Sequence, residues 1–377
     1  MAHFRASGCL VELSAPVLVG RAAGHHWFSS LHAAGADILC QAIKVADIAQ
    51  GQWPGYMYRS SDGGDSWLQV QDVASVSHSS VPLKTSDEIL VMPYELWPAT
   101  PGDRRNAVAD GTVLSLGGTG IEARPEPVRF TDLPRDLLEY SDGELCLLTN
   151  GSIVAVDGGW LTTLYGRFEP AADQLQYACM AFASADGGFT WQFRSVVADS
   201  AQTPGACEGP NESNTARLPD GRLLCIFRVG SGRQYPYYRC YSADEGCTWT
   251  DPQPVADAWS VQPRLSALGD VLVLTGGRPG LMLWVCGDGG ESWHQVNMAE
   301  HHNDCVPEDA LRFRPEVVDA AVRSDPPNTS SYTSMVAIGS DEVLISYDRL
   351  TNGWHGAPGP HGDCDCVFVV RARVTAD

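Results

Sequence analysis

The chain has 377 residues and a formal net charge of −21 at pH 7, with 44% apolar and 19% charged residues. This acidic balance disfavours nucleic acid as a partner, because a phosphate backbone is bound through clustered lysines and arginines. No run of 18 or more apolar residues occurs, so no membrane span is expected. The 38 glycines, 24 prolines and 11 tryptophans favour many short strands joined by turns, and we expect one domain over residues 1–377.

Both ends of the chain contain strand-like runs. Residues 9–20 offer strands near the start, and residues 1–12 lack the uninterrupted apolar core of a signal peptide. This favours the cytoplasm over a secreted protein whose signal has been removed. Residues 366–374 form a strand-like run with no later partner. Because unpaired strand edges promote aggregation, we expect the terminal strands to pair and close the fold.

An eight-residue phrase, Ser-x-Asp-x-Gly-x-Ser/Thr-Trp, occurs four times, with Cys286 replacing the first Ser in the last copy. The copies are residues 60–67, 184–191, 242–249 and 286–293. Each has the chemistry of a tight turn, because the Asp accepts bonds from backbone amides and the Gly adopts a positive φ. Such repetition is typical of a fold built from similar β-units.

Strand-like runs precede each phrase, for example residues 222–228 and 237–241 before the turn at 242–249. They predict antiparallel meanders of about four strands. Comparable units cover residues 27–72, 140–195, 212–256, 261–297 and 332–356, and the proline-rich stretch 80–140 supplies another unit or part of one. We therefore expect an all-β protein, a six-bladed β-propeller, with five or seven blades as alternatives.

The twelve cysteines show no CxxC pair and no zinc-like spacing. This favours buried thiols, with a few disulfides such as Cys240–Cys247 as the alternative. The pair His25–His26 and the stretch 301–304 contain residue types that ligate metals, but neither has a helical i, i+4 spacing or an evident third ligand. We expect ordinary loop histidines, no metal and no cofactor.

The four phrases, known as Asp boxes, resemble those of the sialidase (neuraminidase) superfamily, and the resemblance covers nearly the whole chain. It implies a propeller glycosidase with its pocket on the central axis. Asp boxes also occur in non-catalytic receptors and assembly factors, where they are architectural. More specific similarity lies between the boxes.

Residues 211–228 resemble the family segment in which a Glu opens a strand and an Arg ends the next one, and Glu212 and Arg228 fall on those positions. In the family, this Glu takes the proton of a tyrosine hydroxyl, and this Arg belongs to a triad that binds the substrate carboxylate. Arg278 falls where another triad arginine is expected. Glu208 is a rival for the role of Glu212.

Two further positions complete the catalytic set that the resemblance implies. The segment beginning at Ser331 resembles the family's Tyr-Ser segment and places Tyr332 as the nucleophile. Asp47 lies before the first Asp box, where the family carries its acid/base aspartate on a loop.

The chain departs from the family at the first triad arginine, where Trp27 stands instead. Arg21, His25 or His26 could supply the missing donor, the histidines in a pH-dependent way. Without that arginine, another nonulosonic acid or another sugar entirely becomes an alternative substrate, and Trp27 becomes a candidate stacking platform.

The resemblance thus implies a monomeric retaining exo-glycosidase that releases a terminal sialic acid or related nonulosonic acid from glycoconjugates. Its nucleophile is a tyrosine rather than a carboxylate. One alternative is a propeller glycosidase for another sugar, either exo-arabinanase-like or directed at uronates. Another is a non-catalytic propeller that binds carbohydrate or assists assembly, because fold does not determine function.

Overall fold

The computed structural model describes residues 2–6, 8–47, 53–83, 87–118, 120–137, 147–167, 176–320, 327–353 and 364–376. Within these ranges the chain forms 28 strands in five sheets, together with two short α-helices. The fold is therefore all-β, as the sequence predicts. No helix in the described ranges has the length and apolar character needed to cross a membrane.

Three of the sheets are four-stranded antiparallel meanders. Their strands, sheet by sheet, are β4 (Trp27–Ala34), β5 (Asp37–Ile43), β6 (Gly55–Ser60) and β7 (Leu68–Val73); β18 (Asn211–Arg217), β19 (Leu223–Arg228), β20 (Pro236–Ser242) and β21 (Gln253–Trp259); β22 (Arg264–Leu268), β23 (Val271–Gly276), β24 (Met282–Cys286) and β25 (His294–Asn297). These sheets confirm the meanders predicted over residues 27–72, 212–256 and 261–297.

The fourth sheet joins the two ends of the chain. Its six strands are β1 (Ala2–Ala6), β2 (Cys9–Leu13), β3 (Val17–Ala23), β26 (Thr333–Ala337), β27 (Glu342–Arg349) and β28 (Cys364–Ala376). The last strand, β28, pairs antiparallel with both β2 and β3, for example Val374 with Val11. The predicted pairing of the terminal strands is confirmed.

The fifth sheet has ten strands and merges two of the predicted units. The strands are β8 (Ser80–Pro82), β9 (Glu88–Val91), β10 (Glu95–Pro98), β11 (Ala107–Gly117), β12 (Gly120–Thr131), β13 (Leu147–Leu148), β14 (Ile153–Val156), β15 (Gly159–Arg167), β16 (Tyr177–Ser184) and β17 (Thr190–Ala198). Strand β10 pairs with both β11 and β13, and β12 runs parallel to β17, so seven strands form a closed ring. Residues 48–52, 84–86, 119, 138–146, 168–175 and 354–356 of the predicted units lie outside the described ranges.

The helices and cysteines correct two details of the sequence interpretation. His301 and His302 lie on α1 (Met298–Cys305), which is followed by α2 (Pro315–Val318), and not in a loop. The ring of His302 bonds to the Tyr347 hydroxyl and the Leu311 carbonyl. The eleven described cysteines are all free thiols, seven of them buried, so the Cys240–Cys247 disulfide is wrong. Within the described ranges, no group of three or more His, Cys, Asp or Glu side chains could hold a metal ion.

Each Asp box connects the last two strands of its meander through one set of side-chain bonds. In the second box, the Asp186 carboxylate accepts the backbone N–H groups of Phe189 and Thr190 and the Ser184 hydroxyl, while the Ser184 Oγ accepts the Gly188 N–H at 2.9 Å. In the fourth box the thiol of Cys286 replaces the hydroxyl and accepts the corresponding N–H at 3.0 Å. The box therefore satisfies its own backbone amides without a partner strand.

The glycine at the fifth position of each box also packs against a leucine or valine from a neighbouring part of the fold. All four have a positive φ, and a Cβ there would lie within 2.4 to 2.8 Å of a leucine or valine of another part of the fold. The pairs are Gly64 with Leu344, Gly188 with Val81, Gly246 with Leu161 and Gly290 with Leu224. The positive φ favours glycine at each position, and the absence of a side chain lets the aliphatic group pack directly on the turn.

Replacing Asp186 by alanine tests the stabilising role of the box. We expect the free energy of unfolding at pH 7 to fall by about 1–3 kcal/mol, because several charge-assisted bonds are lost. Burial would raise the pKa of Asp186, but bonds from Thr190 and Ser184 hold it below its ordinary value of 3.8. Its contribution is thus complete above about pH 4 and is lost as the pH falls through the lowered pKa.

Urea denaturation at several pH values measures this effect. The matched control is Asp270→Ala, in the exposed turn between β22 and β23, which should change stability by less than about 0.5 kcal/mol. Equal losses in both variants, or a loss in Asp186→Ala that persists unchanged at pH 2, would contradict the proposed role.

Candidate active site

The candidate site is built where the first strands of several sheets begin. Phe28, Glu212 and Gln262 lie at or just before the starts of β4, β18 and β22, and all three have a positive φ, of 45°, 41° and 50°. The strand ladders are irregular between Trp27 and Ser30 and between Asn211 and Asn214. Strained backbone of this kind re-aims side chains and is concentrated at functional sites.

Tyr332 and Glu212, which are 120 residues apart in the sequence, meet at the centre of the site. The Tyr332 hydroxyl donates a hydrogen bond to Oε1 of Glu212, and the backbone N–H of Gln262 donates to Oε2 at 2.8 Å. Tyr332 and Glu212 are only 6% and 2% exposed. Burial and the Glu212 charge raise the pKa of Tyr332 well above its ordinary range. The phenol therefore stays protonated, with its proton directed at a carboxylate.

Two of the predicted arginines lie beside this pair. Arg228 places Nε 2.5 Å from Oε2 of Glu212 and Nη1 3.1 Å from Oε2 of Glu208. Burial lowers the pKa of Arg228, but the two carboxylates raise it further than burial lowers it. Arg278 donates to the Ser331 hydroxyl at 2.7 Å, and its guanidinium lies 5.3 Å from the centre of the Tyr332 ring. Two guanidinium groups thus lie next to the phenol.

Asp47 lies near the same phenol. It is exposed, beyond the end of β5, and its charge contributes to the raised pKa of Tyr332. The structure therefore brings together five residues that the sequence predicts for the site: Tyr332, Glu212, Arg228, Arg278 and Asp47. Their chemical roles stay predictions.

A stack of rings occupies the region where the resemblance implies the missing arginine. His25 stacks on Trp27 at 4.9 Å, Trp27 on Phe28 at 4.1 Å and Phe28 on Tyr332 at 4.3 Å between ring centroids. Trp27 is 1% exposed and donates Nε1–H to the Val45 carbonyl. Its two faces are covered by His25 and Phe28, so in this conformation the indole is not an open platform.

The other two candidates for the missing donor, His26 and Arg21, lie outside this ring stack. His26 is buried, and its Nε2 lies 2.8 Å from the Tyr58 hydroxyl; burial lowers its pKa to about 4. Arg21 is exposed on β3, where its strand partner is Cys366. Of these residues, only His25 belongs to the ring stack that reaches Tyr332.

Sequence reasoning missed a third arginine. Arg264 opens β22, is 4% exposed, and donates Nη1–H to the Asn150 carbonyl at 2.8 Å. Burial lowers its pKa to about 10, although the Glu212 and Tyr332 charges oppose this. The available signal was its position, because it heads the first strand of a predicted unit as Glu212 does.

The sequence analysis also missed Asp348, which connects the start of β4 to the segment that carries Tyr332. Its buried carboxylate accepts the backbone N–H groups of Phe28 at 2.9 Å, of Ser331, and of Tyr332 at 3.5 Å. Burial raises its pKa to about 6, although these bonds oppose the shift. One side chain of β27 thus fixes the start of β4 and the segment that carries the phenol.

Comparisons with known proteins agree with this architecture. Residues 134–346, more than half of the chain, match the BNR repeat-like domain. No curated protein sequence matches. The fold is similar to that of a protein of unknown function from Dyadobacter fermentans, with a TM-score of 0.60 and 14% identity over 97% of this chain and 99% of that one.

Two enzymes of known structure share the fold. Trypanosoma rangeli sialidase aligns with a TM-score of 0.57 and 14% identity over 92% of this chain but only 55% of the enzyme. The intramolecular trans-sialidase from Ruminococcus gnavus aligns with a TM-score of 0.50 and 13% identity over 93% of this chain and 96% of the enzyme. The chain therefore spans about half the length of the trypanosomal sialidase.

The raised pKa of Asp348 leads to a pH-dependent stability. The folded protein keeps this proton up to about pH 6, whereas the unfolded chain loses it near pH 3.8. The contribution of the group to stability is therefore lost as the pH rises through the folded-state pKa. The free energy of unfolding of the native protein should fall by roughly 3 kcal/mol, relative to Asp348→Asn, between about pH 4 and pH 6.

Chemical denaturation of the two proteins at pH 4, 5, 6 and 7 measures this difference. Asp270→Asn, in an exposed turn, is the control and should follow the native curve. Parallel stability curves for the native protein and Asp348→Asn would show that the carboxyl does not titrate in this interval.

Proposed function

This chain belongs to the BNR repeat-like domain family, and we propose that it is a glycoside hydrolase of the sialidase type. In this proposal it is a retaining exo-glycosidase that releases a terminal sialic acid or related nonulosonic acid from glycoconjugates. The observation that carries the proposal is the buried hydrogen bond from the Tyr332 hydroxyl to the Glu212 carboxylate, flanked by Arg228 and Arg278. The sequence resemblance to the sialidase superfamily is confirmed at the level of the family.

The five sheets are proposed to represent six propeller blades around one axis. The ten-stranded sheet then contains two blades, β8–β9–β11–β12 and β13 to β17, linked by β10. The Asp-box glycines support this division, because Gly188 packs on Val81 of β8 just as Gly246 packs on Leu161 of β15. In both pairs, a box of one blade contacts a strand of the blade before it.

Tyr332 is the proposed nucleophile, activated by Glu212. As the phenolic oxygen bonds to the anomeric carbon, its proton passes to the Glu212 carboxylate, which already accepts it as a hydrogen bond. The phenol suits this task because it is neutral, whereas a carboxylate nucleophile would repel an anionic sugar. The developing negative charge on the oxygen is opposed by Arg278 beside the ring.

Asp47 is the proposed acid/base. In the first step it donates a proton to the leaving oxygen as the glycosidic bond breaks, which leaves a glycosyl-tyrosine and an Asp47 carboxylate. In the second step this carboxylate takes a proton from water, the water oxygen bonds to the anomeric carbon, and Glu212 returns its proton to the Tyr332 oxygen. Two displacements on opposite faces retain the anomeric configuration. The exposed position of Asp47 near the phenol supports this role.

Arg228 and Arg278 are the proposed ligands of the substrate carboxylate. A guanidinium remains charged when buried and binds a carboxylate through two parallel N–H bonds. Both lie next to the phenol, so a carboxylate on the anomeric carbon would be held close to the nucleophile. In this scheme Arg228 shares its charge between the substrate and the carboxylates of Glu212 and Glu208.

A second candidate is a propeller glycosidase for another sugar, exo-arabinanase-like or uronate-directed. The ring stack of His25, Trp27, Phe28 and Tyr332 favours it, because it places apolar surface where the resemblance implies a third carboxylate ligand. The ion pairs of Arg228 with Glu208 and Glu212 also favour this candidate, because they already engage the guanidinium that would bind a substrate carboxylate.

Tyr332→Phe and Glu212→Gln test the catalytic pair. With a fluorogenic sialoside, we expect each variant to lose at least about a hundredfold in kcat, because the covalent step loses its nucleophile or its proton acceptor. The double variant should lose little more than either single one, since the two groups act as a unit. Far-ultraviolet circular dichroism and the Tm monitor folding. Full activity of Tyr332→Phe on the same substrate would exclude this mechanism.

Arg278→Ala tests the substrate class. With a sialoside, the variant should lose about ten- to a hundredfold in kcat/KM, the value of one charge-assisted carboxylate contact. The matched control is Arg217→Ala, which removes a partly exposed ion pair with Glu245 and should leave kinetics unchanged. Assays include deaminated sialosides, uronides and neutral pentosides. Cleavage of pentosides alone, insensitive to Arg278→Ala, supports the second candidate, and inertness towards all substrates supports a non-catalytic propeller that binds carbohydrate or assists assembly.

A further inference from the structure

Glu208 is a second carboxylate at the candidate site and has no chemical step in the proposed mechanism. It lies in the segment between β17 and β18, and its Oε2 is 3.1 Å from Nη1 of Arg228. The same oxygen accepts a hydrogen bond from Nδ2 of Asn211 at 3.3 Å. Glu208 therefore contacts one of the two arginines that are proposed to bind the substrate carboxylate.

The backbone holds Glu208 in this position. Its N–H donates to the Val229 carbonyl at 3.2 Å, and its carbonyl accepts the Tyr177 N–H at 2.8 Å. Val229 directly follows Arg228 at the end of β19, and Tyr177 begins β16, which belongs to another sheet. Both backbone polar groups of Glu208 are thus bonded to the scaffold, so its carboxylate is a built part of the site.

Arg228 carries one positive charge and faces two carboxylates. Its Nε lies 2.5 Å from Oε2 of Glu212, and its Nη1 faces Glu208. The charge of the guanidinium is therefore already offset within the protein. A third carboxylate brought to Arg228 would be attracted by one cation but repelled by the two carboxylates that are already there.

The two carboxylates differ in their access to solvent. The side chain of Glu208 is 22% exposed and that of Glu212 is 2% exposed, while that of Arg228 is 12% exposed. A ligand that approaches Arg228 from solvent therefore meets Glu208 before Glu212. Since Glu212 belongs to the catalytic pair, Glu208 is the carboxylate whose removal changes the charge around Arg228 and leaves the proton acceptor of Tyr332 in place.

We propose that Glu208 is a specificity-determining residue, whose carboxylate competes with the carboxylate of an anionic sugar for Arg228. This inference rests on the proposed function, because it requires that Arg228 contacts the ligand. Glu208 lowers the affinity of the site for anionic sugars. It favours sugars that present a hydroxyl or amide donor at this position, since a carboxylate accepts hydrogen bonds from such groups.

Glu208→Gln tests this competition in the full chain at pH 7. The variant keeps an oxygen that can accept the Nη1 hydrogen bond of Arg228 but removes the negative charge. Isothermal titration calorimetry measures the Kd of free N-acetylneuraminic acid and of its uncharged methyl ester. We expect the variant to bind the acid about tenfold more tightly than the native protein, because Glu208 repels the acid. The Kd of the ester should stay the same, because the ester carries no charge.

The matched control is Glu245→Gln. It removes one negative charge from another arginine–glutamate pair, that of Arg217 at the third Asp box, and should leave the Kd of both ligands unchanged. Glu208→Asp replaces Glu208→Gln if the latter does not fold. Its shorter side chain draws the carboxylate away from Nη1 of Arg228, so the Kd of the acid should fall by about two- to threefold.

An unchanged or weaker affinity of Glu208→Gln for the acid, or of Glu208→Asp where it replaces it, would overturn the proposal, because a residue that only orients Arg228 does not weaken binding. So would equal tightening for the acid and the ester, tightening in Glu245→Gln, or no binding of the acid to Glu208→Gln.

Hydrolysis of a fluorogenic sialoside separates this result from the proposed function. Tighter binding of the acid without hydrolysis supports the role of Glu208 and contradicts catalysis. Hydrolysis with the same KM in Glu208→Gln and the native protein contradicts the role of Glu208 alone.

Discussion

The rest of the structure depends on the packing of each Asp-box glycine against an aliphatic side chain of another strand unit. The box satisfies its own amides through one carboxylate and one hydroxyl or thiol, so its backbone can lie against another sheet without a strand partner. Because a Cβ would lie within 2.8 Å of an aliphatic side chain, the glycine lets that side chain pack directly on the backbone of the turn. This packing fixes the positions of the side chains at the starts of the first strands. Tyr332 can therefore form a hydrogen bond with Glu212, which is 120 residues away in the sequence.

Much of the fold was predictable because its signals are local. The Asp boxes, strand periodicity and unmatched terminal runs predicted the four-stranded meanders and the pairing of β28 with β2 and β3. The ten-stranded sheet was not predictable, since the parallel pairing of β12 with β17 joins Phe130 to Trp191 through tertiary packing alone. The helix that carries His301 and His302 was missed because its eight residues include polar ones without a clear periodicity.

The candidate site was predictable only where a residue lay in a segment similar to the family. Tyr332, Glu212, Arg228 and Arg278 were found in this way, and Asp47 lies near them. Asp348 was missed because nothing in its local sequence distinguishes it from an ordinary strand residue, and Arg264 was missed because its position at the head of a predicted unit is a weak signal. Their importance arises from burial, which leaves two nitrogens of the Arg264 guanidinium without a hydrogen-bond partner among the described residues and lets the Asp348 carboxyl bind three backbone amides. Burial of this kind is a property of the assembled sheets.

The charges of the site explain how an acidic protein could accept an anionic sugar. At physiological salt, charges farther than about 8 Å apart in solvent are largely screened, so most of the net charge of −21 has little effect on a ligand already in the pocket. Within the site, the low dielectric constant strengthens the electrostatic interactions of Arg228, Arg278 and Arg264 with nearby charges. In the proposed mechanism Glu212 is the proton acceptor, and these arginines offset its negative charge. In the proposed function, the acidic surface would affect the rate of encounter with an anionic glycan, whereas the guanidinium groups of the site would bind its carboxylate.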